Sequence, residues 1–157
     1  MIYTSRYQNP ALKSGDYTVV GITRGAPKFK LGYSLSGNII EIAPPGYLFQ
    51  ENDRQRFTPR YFRHMDRTGP AVIAKMLAFY EKLGKPVVLC CYEDVRNPED
   101  WCHRLVFAEW WQARTGECIP ELPDPSPNKW KPREPERTAH LTEAAPPEPE
   151  AEQLGFW

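Results

Sequence analysis

The chain has 157 residues and a mass of 18.2 kDa, one domain's worth by length. Apolar residues make up 41%, charged residues 25% and aromatics 13%, which suits a packed core and excludes a wholly disordered chain. Lys+Arg and Asp+Glu both total 20, so no overall basic charge points to nucleic acid, and no apolar run approaches a membrane span.

The opening segment MIYTSRYQNP has no apolar signal core, so the expectation is a cytoplasmic protein without a membrane anchor. The cysteines are Cys90, Cys91, Cys102 and Cys118, with no C-x-x-C pair. That is neither a zinc-ribbon nor a disulfide-scaffold pattern, and it points to a reducing compartment. Cys90 and Cys118 read as small buried core residues.

Charge divides the chain. Residues 1–122 carry 16 basic and 13 acidic side chains, whereas residues 123–157 carry 4 and 7, with 8 of the 17 prolines. The second segment has only Leu141 and Leu154 among Val, Ile and Leu, too little apolar surface to offset its ordering entropy. The expectation is an α/β domain over 1–122 and a disordered acidic, Pro/Glu-rich tail over 123–157. Its last residues, Leu154-Gly155-Phe156-Trp157, read as an apolar peptide able to dock on a protein partner.

In chain order, residues 1–4 and the β-branched run 17–22 read as strands. Residues 38–42 read as a short strand or hairpin arm, broken by Ala43-Pro44-Pro45-Gly46. Residues 47–67 show only a helical turn over 61–65, after Pro59. Thr68 as N-cap and Pro70 in the first turn open a helix with Val72, Ile73, Met76, Leu77, Tyr80 and Leu83 on one face, stopped by Gly84 and Pro86. The continuous apolar run 87–92 suits a strand covered on both faces. Asn97-Pro98-Glu99-Asp100 predicts a helix start, with the helix running to about Arg114 and ending at Gly116. Residues 117–120 read as a last edge strand. This order predicts a small, mostly parallel sheet flanked by helices.

Ligands bind outside the carboxyl ends of strands in open α/β sheets. Arg24 follows the strand over 17–22, Glu93 follows the strand over 87–92, and Cys102, His103 and Arg104 fall in the first turns of the helix expected from Pro98. Alternation puts Cys91 and Glu93 on one face. The chemistry offered is a general base in Glu93, a nucleophile in Cys91 or Cys102 beside His103, and anion binding by Arg24, Arg104 and a helix N-terminus.

The run Val87-Val88-Leu89-Cys90-Cys91-Tyr92-Glu93, followed by Cys102-His103-Arg104, resembles the signature of the domain-of-unknown-function family 488. Members carry a Leu-Cys-x-Glu segment, a spacer and then Cys-His-Arg. An earlier strand there ends in arginine, often as Asp-Val-Arg. Here that stretch is Gly21-Ile22-Thr23-Arg24, without the aspartate. The resemblance spans roughly residues 1–120, most firmly 71–116. It implies an α/β fold, selects Cys91, Glu93, Cys102, His103 and Arg104, and supplies no reaction.

The leading expectation is an enzyme acting on a phosphorylated small molecule, nucleotide or nucleic acid, with Cys91, Glu93, Cys102 and His103 catalytic and Arg24 and Arg104 binding substrate. The cofactor is left open. A second reading is metal binding: Cys91, Glu93, Cys102 and His103 are zinc-ligand types, but Cys102 and His103 as neighbours on a helix point about 100° apart, so only Cys91, Cys102 and Glu93 converge easily and no metal ligand is assigned. The alternative is a non-enzymatic nucleic-acid- or protein-binding module. It would use Arg54, Arg56, Arg60, Arg63 and Arg67, with Phe57, Tyr61, Phe62 and His64 interleaved.

Overall fold

A computed structural model of the chain describes residues 1–128. Four strands form one sheet: β1 (Ile2–Arg6), β2 (Thr18–Gly21), β3 (Gly37–Asn38) and β4 (Val87–Cys91), in the order β1-β4-β2-β3. Every pairing is parallel, as expected from the run of apolar residues at 87–92. In β4, Val87 pairs with Ile2 on one side and Thr18 on the other, and all five residues are buried. A strand with neighbours on both edges and cover on both faces has no solvated side to be polar on.

The two faces are covered differently. Val20, Ile22, Val87, Leu89 and Cys91 pack against the helices α1 (Arg54–Thr68), α2 (Pro70–Glu81) and α3 (His103–Thr115). Val19, Val88 and Cys90 face Tyr7, Leu12 and Leu122, with Tyr3, Tyr17, Leu31, Tyr33 and Leu35 partly buried around them. This second layer is a 3-10 turn at Pro10–Ser14 and extended chain. It is pinned by Tyr33, whose hydroxyl donates to Tyr7 O at 2.7 Å.

The helices differ from the sequence reading at their starts. The region 47–67 holds a 15-residue helix, α1, where only a turn was expected. Its cap is Asp53, whose carboxylate accepts from Gln55 N at 2.9 Å. Pro59 lies near the amino end, where a missing N–H removes one helical hydrogen bond and leaves the rest of the ladder intact. The buried face is Phe57, Tyr61 and Met65, spaced one turn apart. Tyr61 also donates to Ile42 O at 2.7 Å. Thr68 ends α1 rather than capping α2; Gly69, at φ 86, makes the corner and Pro70 opens α2. Ile73 and Leu77 carry the buried stripe of α2, and Val72 and Leu83 are exposed.

The helix expected from Pro98 starts instead at His103. Asn97 does cap, accepting from Glu99 N at 3.1 Å, but the turn it forms stops at Asp100. Trp101 then leaves the helical path to pack on the Phe57 ring, with centroids 4.9 Å apart. The partly buried indole packs on the core there, in place of a continued capped turn. The other end is as predicted, with Gly116 left-handed at φ 80.

Residues 117–120 form no strand. The chain instead runs along β1 through a single bridge between Thr4 and Glu121, with Thr4 N donating to Pro120 O and Leu122 N to Thr4 O. The compact unit extends to Pro127 rather than 122. Arg6 Nε donates to Asp124 at 2.7 Å, Arg6 Nη2 to Ser126 Oγ at 2.7 Å, and Arg96 to Ser126 O at 2.6 Å. The tail expected over 123–157 lies, beyond its first residues, outside the described residues, as does its Leu154-Gly155-Phe156-Trp157 end. Among the described residues no helix is long and apolar enough to cross a membrane.

Trp110 is fully buried and its Nε1 donates to Asp66 at 2.9 Å. Trp110→Ala is expected to lower unfolding free energy by about 3–5 kcal/mol, measured by urea denaturation. A smaller second effect concerns acid. The Arg96 hydrogen bonds hold Asp94 down at about 2 against an ordinary 3.8, despite partial burial. For Asp124 burial pushes upward, but the Arg6 and Ser126 hydrogen bonds win and its pKa is lowered. Both carboxylates therefore contribute stability above their unfolded pKa that is lost as pH falls toward the folded one. Hydrogen exchange between pH 3.8 and about 2 should release Leu122 N–H before the amides of β4. Simultaneous release would refute this anchoring.

Candidate functional site

The carboxyl ends of β2 and β4 open on one cleft. Two adjoining cavities of about 430 and 490 Å³ share Pro44, Phe49, Glu93 and His103 in their walls. Cys102 and Trp101 line the first, and Arg24, Lys28, Phe29 and Tyr92 line the second. The placement of Glu93, Cys102, His103 and Arg24 around one opening follows from parallel strands ending at the same level.

Cys91 is the last residue of β4 and points to the helix side, while Cys90 points to the opposite layer. Glu93 continues the alternation, and its Oε2 lies 3.7 Å from Cys91 Sγ. Cys102 is the N-cap of α3, with extended φ −140 and ψ 155. Its sulfur is in direct contact with that of Cys91, close enough for a disulfide, and the two Cα atoms are 7.5 Å apart. The spacing of the cysteines in sequence carries no sign of this contact. It arises because the chain passes from the end of β4 around the 93–101 turn and back to the same strand end.

His103 opens α3. Its Nε2 lies 2.7 Å from Ile22 O. A carbonyl can only accept, so Nε2 carries the proton and Nδ1 keeps a bare lone pair. Nδ1 is 3.6 Å from Cys102 Sγ. Burial lowers the His103 pKa to about 4, the Ile22 hydrogen bond opposes that and the nearby Arg104 charge adds to it. The ring is neutral at pH 7.

Arg104 was expected to bind substrate; the structure places it inside the wall. It is 1% exposed. Nε and Nη2 engage Glu121 (Nη2 at 2.7 Å), and Nη1 donates to Glu93 O at 2.8 Å and Cys91 Sγ at 3.0 Å. Its donors are committed to protein acceptors, so it acts on Cys91 and on the turn carrying Glu93. Glu121, the partner that makes burial of this cation tolerable, was not foreseen. A buried arginine requires a carboxylate, but the sequence does not say which.

Arg24 does face the cleft, held by Nε donating to Pro44 O at 2.8 Å. Its loop is set by Asn38, which donates to Thr23 O at 2.8 Å and accepts from Thr23 N at 3.3 Å. Gly21 permits that approach: a Cβ there would sit 2.5 Å from both Asn38 Oδ1 and Tyr7 Oη. Lys28, Phe29, Phe49 and Trp101 are cleft residues outside the motif, brought in only by the tertiary fold, and Tyr92 lies within the motif run but is not among the residues it selects.

The arginine-rich stretch forms α1. Arg54 pairs with Glu109, Arg56 with Asp53 and Arg60 with Glu51. Phe57 and Tyr61 are in the core, and Phe62 packs against it under Arg114. The interleaved aromatics therefore face inward, because they are the helix's buried stripe. Cys118, expected in the core, is exposed; Cys90 is buried, and burial raises its thiol far above the ordinary range.

Comparison of the chain with protein-family models, with curated proteins and with solved structures returned no match.

The cysteine placement predicts an order of alkylation in native chain kept reduced. Cys118 labels first, Cys102 follows from the cleft, and Cys90 labels only on unfolding, as read by peptide mass spectrometry. Early labelling of Cys90 would contradict its burial between sheet and loop layer.

Proposed function

We propose that the chain is an enzyme acting on a small anionic molecule with a planar ring, of the nucleotide class, in the cleft at the carboxyl ends of β2 and β4. The observation that carries this is the lining of the cleft: Arg24 and Lys28 stand with Phe29 and Tyr92 in one cavity, Cys102 lines the other, and Glu93, His103 and Phe49 are shared where the two adjoin. Cations beside aromatic faces suit a phosphorylated ligand bearing a flat base. Glu93, His103 and Cys102, in and beside that cavity, are groups that move protons or coordinate ions. Glu93 is the general base of this reading, and His103, Cys91 and Cys102 form the reactive cluster beside it. Arg24 binds the anion; Arg104 positions Cys91 and the Glu93 turn.

The resemblance to domain-of-unknown-function family 488 supports the choice of residues, since those it selects meet at the strand end, and it adds nothing on the reaction. A nucleic-acid-binding role for α1 is less well supported, because its aromatics are core residues and three of its arginines are paired.

The test is a thermal-shift screen of nucleotides and sugar phosphates on the full chain. A ligand that binds only the native state raises stability by about 2.7 kcal/mol at a hundredfold excess over Kd, a shift of several degrees. Arg24→Ala should abolish most of the shift without altering the melting temperature of unliganded protein. With a turned-over ligand in hand, Glu93→Gln should lower kcat by about 10²–10⁴ while KM changes little. A screen in which no anionic ligand shifts the transition would sink the proposal.

A further inference from the structure

On a helix running from Pro98, Cys102 and His103 would point about 100° apart, leaving only Cys91, Cys102 and Glu93 to converge on a metal. That objection does not hold in the fold. Cys102 is extended, and only His103 is helical. Cys91 Sγ, Cys102 Sγ and a ring nitrogen of His103 all lie within 4.8 Å of one another.

We propose that Cys91, Cys102 and His103 Nδ1 form a three-ligand zinc site, whose fourth position faces the cleft beside Glu93. Four features of the structure argue for it independently of any reaction.

The first is the histidine. Its Nε2–H is fixed on Ile22 O, which leaves Nδ1 as the free lone pair and aims it at the cysteine sulfurs. A metal-binding imidazole is ordinarily oriented in this way, by a hydrogen bond from its other nitrogen to a backbone carbonyl.

The second is the cysteine spacing. Bridged cysteines have Cα atoms about 4.4–6.8 Å apart, and here the separation is 7.5 Å. Tetrahedral zinc with bonds of about 2.3 Å holds two thiolates about 3.8 Å apart, a separation that wider-set Cα atoms accommodate.

The third is charge. Arg104 and Glu121 neutralise each other, so the Arg104 hydrogen bond to Cys91 Sγ adds no net charge to the centre. Zinc held by two thiolates and a neutral imidazole would likewise add no net charge to this buried region.

The fourth is access. Cys102, His103 and Glu93 line one solvent-reaching cavity, while Cys91 is sealed behind them. Three protein ligands with an open position mark a catalytic rather than a structural zinc site. Glu93, with Oε2 3.7 Å from Cys91 Sγ, stands beside that position.

For its chemistry the inference rests on the function proposed above. Zinc lowers the pKa of bound water to about 7. The carboxylate of Glu93 takes one proton from that water, and the oxygen forms its new bond to the electrophilic atom of the substrate. The leaving group departs with its bonding electrons and takes the proton from Glu93. The reaction is hydrolysis, with no oxidant or reductant required.

The closing experiment reads metal rather than activity. The full chain is purified without chelator from zinc-supplemented culture and assayed for zinc and thiols. It is then stripped under reductant and titrated with cobalt(II). The expected result is one zinc per chain and a cobalt spectrum with thiolate charge-transfer and intense tetrahedral bands. Zinc should also slow alkylation of Cys102 in the wild-type chain by about tenfold or more, with Cys118 unaffected. Cys118→Ser should keep the cobalt bands and Cys102→Ser should lose them; the wild-type protection measurement stands whether or not Cys102→Ser folds. A fully reduced chain that takes up no cobalt, or bands that persist in folded Cys102→Ser, would overturn the site. A chain that binds zinc but no anionic ligand would keep the site and remove the proposed function. A turned-over substrate with metal-free protein would do the reverse.

Discussion

The fold and the cleft both depend on a guanidinium buried almost completely. Arg104 projects from the first turn of α3 and joins four parts of the chain: its own helix, Cys91 at the end of β4, the Glu93 carbonyl in the following turn, and Glu121 in the segment beside β1. Burying a cation is tolerable only when each donor finds an acceptor, and losing one partner typically costs about 3–5 kcal/mol. That constraint fixes where the carboxy-terminal segment must lie. It also places the one buried cation of this region against a cysteine sulfur at the floor of the cleft.

The sheet is protected asymmetrically. Three helices cover one face, and a 3-10 turn with extended chain covers the other. The second layer is thin, and aromatic and hydroxyl groups hold it: Tyr33 on Tyr7 O, Tyr7 on Thr23, Tyr92 on Gly25 O. The last two of these contacts also shape the loop that carries Arg24. The layer that completes the core therefore sets one wall of the cleft, and α3 with the turn before it sets the other. A site assembled this way is preorganised by packing.

The proposed zinc centre gives a reason for a second feature. The chain abandons a well-signalled helix start at Asn97 and begins α3 five residues beyond Pro98, at His103. Trp101 turns inward, Cys102 becomes extended, and its sulfur swings to the strand end. A continuous helix from Pro98 would hold Cys102 and His103 about 100° apart; the break brings them onto one centre.

How much of this was legible follows the range of the interactions. The strands at 1–4, 17–22 and 87–92, the parallel sheet, the apolar stripe of α2 and the stop at Gly116 were all readable, because each depends on local propensity and periodicity. The residues gathered at the strand ends were readable too, since alternation and strand–turn–helix order are local properties. Other features depended on partners distant in sequence. Helix α1 was obscured by Pro59 and five arginines, although Phe57, Tyr61 and Met65 already marked its buried face. The start of α3 was decided by the Phe57 ring, which Trp101 reaches only in the folded state. Arg104 turned from substrate ligand to buried strut because Glu121 lies beside β1, and in the segment after Gly116 it is Ile119, not Cys118, that reaches the core. The sequence by itself determined which segments are apolar, their period and where the polar chemistry is concentrated. Tertiary structure decided which cation is buried, which carboxylate neutralises it and which sulfurs and nitrogen meet, because those outcomes are set by the desolvation of paired groups rather than by neighbours along the chain.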